Sequence, residues 1–326
     1  MYNDAMTRVL PIDPSNPDPA TLQQAADVIL AGGLVAFPTE TVYGLGANAL
    51  DGAAVEGIFR AKGRPATNPV IVHVADVSDV PRVAKAWPAT AAALATHFWP
   101  GPLTLVLPRR EDLPGVVTAG GLTVAVRCPA HPVAAALIRR AGVPIAAPSA
   151  NRSTELSPTR AEHVAKSLAG RIDMILDGGP CTGGIESTVV DVTQARPRIL
   201  RPGLVSGTML EAIVGPLDVS EGDHGIARSP GQMAKHYSPR AIVTLFDSNA
   251  SVPLPLPANM AWLAFGEAGD ATIAMPTNPR EYAAQLYQEL HRQDDAGREM
   301  VLITLPPDTP EWDAIRDRLR RAAAVM

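Results

Sequence analysis

The chain has 326 residues, 46% of them hydrophobic, which is ample material for one large or two ordinary domains. A formal net charge of −5 argues against a protein that coats nucleic acid electrostatically, although it leaves room for a local basic site. Charged residues make up 19% and aromatics 4%, while Ala, Gly and Pro abound, a balance that fits a soluble α/β protein with many turns better than a β-sandwich or a coiled coil.

The first twenty residues, "MYNDAMTRVLPIDPSNPDPA", are acidic and proline-rich and lack the apolar centre of a signal peptide. No window approaches the roughly 18 consecutive apolar residues of a membrane span. Cys128 and Cys181 stand far apart and form no CxxC pair, so neither a disulfide framework nor a structural zinc site is expected. A reducing cytoplasm is the expected compartment.

From Thr21 to Leu200 helix-like and strand-like segments alternate. "TLQQAADVILAGG" carries apolar residues at helical spacing and a glycine stop. "LVAF" reads as a buried strand, and it runs into "PTETVYGLGANAL", a loop of hydroxyls, one carboxylate and two glycines. "AAVEGIFRAKG" reads as a helix ended by Gly63. "NPVIVHVAD", "PLTLVLPRR", "LTVAVRCP" and "VPIAAPSAN" read as strands bounded by Pro, Gly or Asn. "HPVAAALIRRAG" and "SPTRAEHVAKSLAG" read as helices, the second with Ser157 as its N-cap. "MILDGG", "STVVDV" and "RPRILRPG" close a single domain with a mixed sheet. After Gly203 comes a helix and then a Gly-, Ser- and Pro-rich linker. From Ala241, strand and helix patterns alternate again, as in a small open α/β domain without a GxGxxG.

Several segments carry chemistry. In "FRAKGRPATNP" an extended chain would turn Arg60, Lys62 and Arg64 to one side over about 13 Å, the span of a triphosphate. A helix would instead set Arg60 beside Arg64 and place the cations at its C-terminus. No GxxxxGK[ST] occurs, so a triphosphate here would be held by side-chain charge. His73 sits in a strand and points away from Val72 and Val74, either as a satisfied structural group or as a site residue, and it lacks the spacing of a metal ligand. Arg127 ends a strand, where it can grip a carboxylate bidentately or serve a surface ion pair. Ser149, Asn151, Ser153 and Ser157 share one loop after a strand, where α/β proteins bind ligands. "GGIESTVVDV" brings Ser187 and Thr188 into a strand, and "ILRPG" sets Arg201 before a turn. The pooled cations and hydroxyls point to an anionic substrate together with a small polar one.

In order, "PTETVYGLG", "KGRP" with "NP" after it, "WPGPLTLVL", "VRCPAHP", "PIAAPSAN", "SPT", "ESTVVD", "LRPG" and "SPGQMAKHYSP" resemble the threonylcarbamoyl-AMP synthase family, in the long form that joins a YrdC-like domain to an accessory domain. The resemblance implies a twisted mixed α/β sheet with a large concave cavity over residues 1–205. It further implies a linker closing over the site across 206–240 and a small Rossmann-like α/β domain at 241–326. The implied reaction condenses L-threonine, bicarbonate and ATP to threonylcarbamoyl-AMP and pyrophosphate, with Mg²⁺ accompanying ATP. A transfer complex then carries the group to adenosine in tRNA.

Carried over position by position, Thr41, His73, Arg127, Ser187 and the main chain at Ala147 attend L-threonine. Lys62 and Arg64 serve catalysis on the phosphates. Arg64, Asn68, Thr123, Ser149, Ser157, Arg201, His236 and Tyr237 attend ATP, the last two folding from the linker over the cavity mouth. Gly44 and Gly46 would let ligand and backbone approach closely. Two other readings remain: a carbamoyl-transfer module of the kind in hydrogenase maturation proteins, and an RNA-binding module using the positive rim for weak RNA contact. Two cysteines cannot supply the zinc fingers of the first, and the acidic balance without interleaved aromatics weighs against the second.

Overall fold

A computed structural model describes residues 6–218, 238–266, 269 and 273–324. In chain order the first part comprises β1 (Arg8–Pro11), α1 (Pro19–Leu30), β2 (Val35–Phe37), β3 (Gly44–Asn48), α2 (Gly52–Lys62), β4 (Ile71–His73), α3 (Ala89–Phe98), β5 (Leu103–Pro108), β6 (Thr123–Arg127), α4 (Pro132–Ala141), β7 (Ile145–Ala146), α5 (Ala161–Leu168), β8 (Met174–Asp177), β9 (Thr188–Asp191), β10 (Arg198–Arg201) and α6 (Gly207–Val214). The second comprises β11 (Ile242–Phe246), β12 (Met260–Phe265), β13 (Ile273–Met275), α7 (Pro279–Asp295), β14 (Met300–Thr304) and α8 (Asp313–Ala323).

The ten strands of the first part form one mixed sheet in the order β1-β8-β2-β3-β7-β4-β6-β5-β9-β10. The four of the second form a parallel sheet in the order β11-β14-β12-β13. Three strands were not read from the sequence. Gly44–Asn48, expected within a loop, is strand β3, paired antiparallel with β2 and β7. The largely exposed β1 borrows its order from pairing parallel with β8, and β13 adds a short parallel edge beside β12.

Alternation along β4 and β6 divides the first sheet. Val72, Val74, Val124 and Val126 enter the main core, which also holds residues of α2, α3 and α5. Ile71, His73, Ala125 and Arg127 take the other face, with Ile71 opposite Ala125 and His73 opposite Arg127. On that face one apolar cluster gathers α1 and α4 over β2, β7 and β8, and a smaller one joins Ile71, Val106, Ala125 and Val189. The segment from 206 opens with α6, whose Leu210 is fully buried in the main core, so its first turns are part of the first domain's packing.

The expected cap at Ser157 is absent. Helix α5 starts at Ala161 with Arg160 at its N-cap and no side-chain cap bond. The Ser157 hydroxyl is drawn elsewhere, to Glu186 at 2.5 Å. Cys128 and Cys181 are free and buried. No helix among the described residues is long and apolar enough to cross a membrane.

Candidate active site

The loop after β2 is fixed by its own hydroxyls. Thr39 Oγ1 donates to the Val42 carbonyl (2.6 Å) and accepts from the Thr41 and Val42 amides at 3.1 and 3.2 Å. That holds Thr41 where its hydroxyl accepts Arg127 Nη1 at 2.8 Å. Arg127 Nη2 meets Glu40 Oε1 at 2.5 Å, and Nε donates to the Gly101 carbonyl at 3.2 Å. Glu40 Oε2 in turn accepts the Ala130 amide at 3.1 Å. Arg127 is buried, so this is no surface ion pair. The guanidinium is held in one orientation by partners on three sides.

His73, beside it across the β4–β6 pairing, is buried, and its Nδ1 meets no hydrogen-bond partner among the described residues. Burial first, and then the charge of Arg127, push the imidazole down to about 3, so it stays neutral at pH 7. Ser187 Oγ lies 2.7 Å from Thr104 Oγ1 on β5. Arg201 reaches Ser187 through Nε and Nη2 to its carbonyl (3.1 and 3.0 Å) and through Nη2 to its hydroxyl (3.2 Å). The following turn must press close: a Cβ on Gly203 would stand 2.3 Å from the Thr188 amide nitrogen.

Thr41, His73, Arg127, Ala147 and Ser187 therefore line one open hollow together with Arg64, Ser149 and Arg201. Three arginines face a single lining carboxylate, Glu186, so the hollow is cationic within an acidic chain. Sequence reasoning named Ser187 and Thr188 but passed over Glu186. Its signal was a carboxylate wedged between Ile185 and a buried strand.

The cations of "FRAKGRP" divide by helical geometry. Arg60 faces solvent and pairs with Glu56 at 3.7 Å. Gly63, in the left-handed region at φ +59°, ends α2 and turns the chain, so Arg64 enters the hollow and donates to the carbonyls of Asn68 and Pro69. Lys62, expected on the phosphates, is held by the loop after β7. Its buried ammonium donates to Ser149 O at 2.6 Å, to Asn151 O, and to Asn151 Oδ1 at 3.3 Å, and it does not line the hollow. Burial, then Arg64, hold its pKa well below the ordinary lysine value. Lys62 thus fixes the loop that presents Ser149.

Asn68 and Ser157 each bond a lining residue from behind, whereas Thr123 lies at the opposite end of β6 from Arg127 and outside the lining. Gly46 is also corrected. A Cβ there would meet Phe37 at 2.7 Å and Ile145 at 2.8 Å, so packing within the protein, not a ligand, demands that glycine. His236 and Tyr237 lie outside the described residues.

A family model described as "Telomere recombination", covering Sua5, YciO and YrdC proteins, matches residues 27–203. A second, described as the C-terminal domain of threonylcarbamoyl-AMP synthase, matches residues 205–324. A Pyrococcus abyssi protein named threonylcarbamoyl-AMP synthase is 42% identical over 317 residues, covering 92% of this chain and 93% of its own length. A Bacillus subtilis protein of the same name is 41% identical over 327 residues, with 93% and 92% covered. The crystal structure of P. abyssi Sua5 complexed with L-threonine is similar at a TM-score of 0.90 and 38% identity, over 97% of this chain and 98% of that one.

Proposed function

The chain belongs to the threonylcarbamoyl-AMP synthase family in its long, Sua5-type form, and from the hollow we propose how its residues serve that activity. The enzyme uses L-threonine and ATP to form the threonylcarbamoyl adenylate for tRNA modification. The observation that supports the residue assignment is one cavity lined by Thr41, His73, Arg127 and Ser187, read as the threonine end, together with Arg64, Ser149 and Arg201, read as the nucleotide end.

In this reading Arg127 takes the threonine carboxylate, its guanidinium held in place by Glu40 and Thr41. The neutral His73 adds a hydrogen bond to the amino acid without adding charge. Selection of threonine over serine rests on one methyl, worth roughly 1–3 kcal/mol. Arg64 and Arg201 face the phosphates, and Ser149 the nucleotide. Bicarbonate and the threonine amine give a carbamate and water. A carbamate oxygen then attacks the α-phosphorus, and pyrophosphate leaves. The attacking group is already anionic, so the site must position two substrates and offset developing charge rather than supply a strong base.

Magnesium comes as part of the ATP substrate, held by phosphate oxygens. Glu186 is the only acidic residue in the lining, and among the described residues no group of three His, Cys, Asp or Glu could hold a metal. The adenylate passes to a system that transfers its acyl group to tRNA adenosine, in the cytoplasm where these substrates meet. The test is pyrophosphate release from ATP with threonine and bicarbonate present or withheld. Release that ignores threonine would overturn the assignment.

A further inference from the structure

Glu186, in the wall of the hollow, is held from behind by Ser157 and by the C-terminal domain. Glu186 Oε2 accepts Arg318 Nε of α8 at 2.8 Å and Tyr287 Oη of α7 at 3.2 Å, while Oε1 accepts the Ser157 hydroxyl at 2.5 Å. His291 of α7 reaches the Ser157 carbonyl at 3.1 Å. The Arg318 side chain has no solvent exposure, and its Nη1 donates to Asp317 at 2.7 Å, which Arg321 holds in turn. On the other side of Glu186 stands Arg201, facing the hollow.

A carboxylate in this place is a hazard to an enzyme that binds triphosphate. Left unpaired, it would set a negative charge in the wall against a polyanion, in surroundings that screen it poorly. We propose that Arg318 is a positioning residue for adenylation: from the domain behind the hollow it cancels the charge of Glu186 toward ATP, and through that carboxylate it fixes the Ser157 hydroxyl. The accessory domain is then part of the nucleotide site without touching the nucleotide. The electrostatics agree. Burial would raise the Glu186 carboxyl, but Arg318 and Arg201, with bonds from Ser157 and Arg318, outweigh it and hold it below the usual range.

The proposal rests on the hollow being the ATP site. The test uses the full-length chain. In Arg318→Gln the KM for ATP at about pH 8 should rise on the order of tenfold while that for threonine moves far less. The ATP defect should shrink as pH falls, because the loss of Arg318 removes the leading pull that keeps Glu186 ionised against its burial, and protonation removes the same charge. Tyr287, Arg201, His291 and Asp317 also face this group. The Glu186→Gln/Arg318→Gln pair isolates the carboxylate, and it should recover the wild-type KM for ATP and lose the added pH dependence.

A structural role alone would move thermal stability but not this split or its pH profile. An unchanged KM for ATP in folded Arg318→Gln, a defect flat with pH, or no relief from Glu186→Gln would each overturn the proposal. If Arg318→Gln does not fold, Tyr287→Phe decides: it removes a second bond to the same carboxylate, so KM for ATP should rise by a smaller factor with threonine little moved, and an unchanged KM for ATP overturns the proposal. Wild-type pyrophosphate release that ignores threonine is a separate result and counts against the reading of the hollow itself.

Discussion

In the ten-stranded sheet the central strands are short, two residues in β7 and three in β4, and buried polar side chains stand at strand ends: His73 closes β4, Arg127 closes β6 and Ser187 precedes β9. In the C-terminal sheet β11, β14 and β12 pair parallel without a break in register, and the buried polar residue in their strands is Thr304, whose hydroxyl takes the indole N–H of Trp262 at 3.0 Å. The difference is one of where backbone regularity ends. A strand that stops early frees its neighbours' loops to approach, and the polar groups they carry must then find partners within the protein or in a ligand. The regular sheet opens instead at its strand ends, where Ser248, Phe265, Thr304 and Arg316 line a pocket. It gives a stiff body whose helices α7 and α8 bear on the irregular one.

If that contrast is right, the largest effect belongs to Arg127→Ala. It leaves Glu40 and Thr41 without their buried cation, at a cost of about 3–5 kcal/mol. It also removes the proposed partner of the threonine carboxylate. Threonine-dependent pyrophosphate release should fall by more than about a hundredfold at subsaturating threonine. Near-normal turnover would break the contrast outright.

Next come the two cations at the end of α2, which should separate cleanly. Lys62→Met removes bonds to Ser149 and Asn151 and strands their oxygens, costing about 1–3 kcal/mol, so melting temperature should drop with the affinity of both substrates. Arg64→Ala should weaken ATP binding by about tenfold, measured by titration calorimetry, with a smaller change in melting. A Lys62→Met protein that melts normally but loses only ATP would return the lysine to the phosphates.

Much of this site was legible in the residues. Gly63 marked the end of α2, and the strand around His73 told which face it takes. The resemblance named the residues that meet in the hollow. What stayed hidden depends on partners distant in the chain. Glu40 was noticed as the one carboxylate of its loop, but its partner Arg127 is 87 positions away. The partner of Glu186 is 132 away, in the other domain, and nothing local announces it. Ser157 looked like a helix cap because Ser-Pro-Thr suits one, yet a buried carboxylate competes for its hydroxyl. Gly46 seemed made for a ligand because its crowding by Phe37 and Ile145 appears only once three strands are side by side.

A gentler test acts on the seam between the two regions. His163 of α5 and His291 of α7 stack with ring centroids 3.8 Å apart. Burial first, then the neighbouring His291 and Lys166, push His163 down to about 3. Burial lowers His291 as well, against the pull of its Ser157 bond and of Asp294 and Asp295. Both imidazoles are therefore neutral when folded, and the unfolded chain takes up protons first, near pH 6.5. Stability from this pair is whole above that pH and is lost as pH falls below about 6.5, for His163 toward about 3. Melting temperature should decline between about pH 7.5 and 5.5, and His163→Gln should flatten the decline. An equal slope in that variant would mean the seam does not sense pH.

The smallest expected effect is the sharpest control on the helical reading of "FRAKGRP". Arg60 lies in the last turn of α2, before the break at Gly63 that redirects Arg64, and its side chain is 66% exposed and its partner Glu56 61% exposed. An exposed pair at this spacing contributes about 0.3–0.5 kcal/mol. Arg60→Ala should therefore shift melting by about a degree or two at most, and KM for ATP should not move. Were the segment extended in the working enzyme, Arg60, Lys62 and Arg64 would face the triphosphate together, and Arg60→Ala would weaken ATP as Arg64→Ala does. Measuring both variants at low and high salt separates the two cases. A charge on the phosphates gives an ATP affinity that falls with salt, and Arg60→Ala should leave that salt dependence as in the wild type.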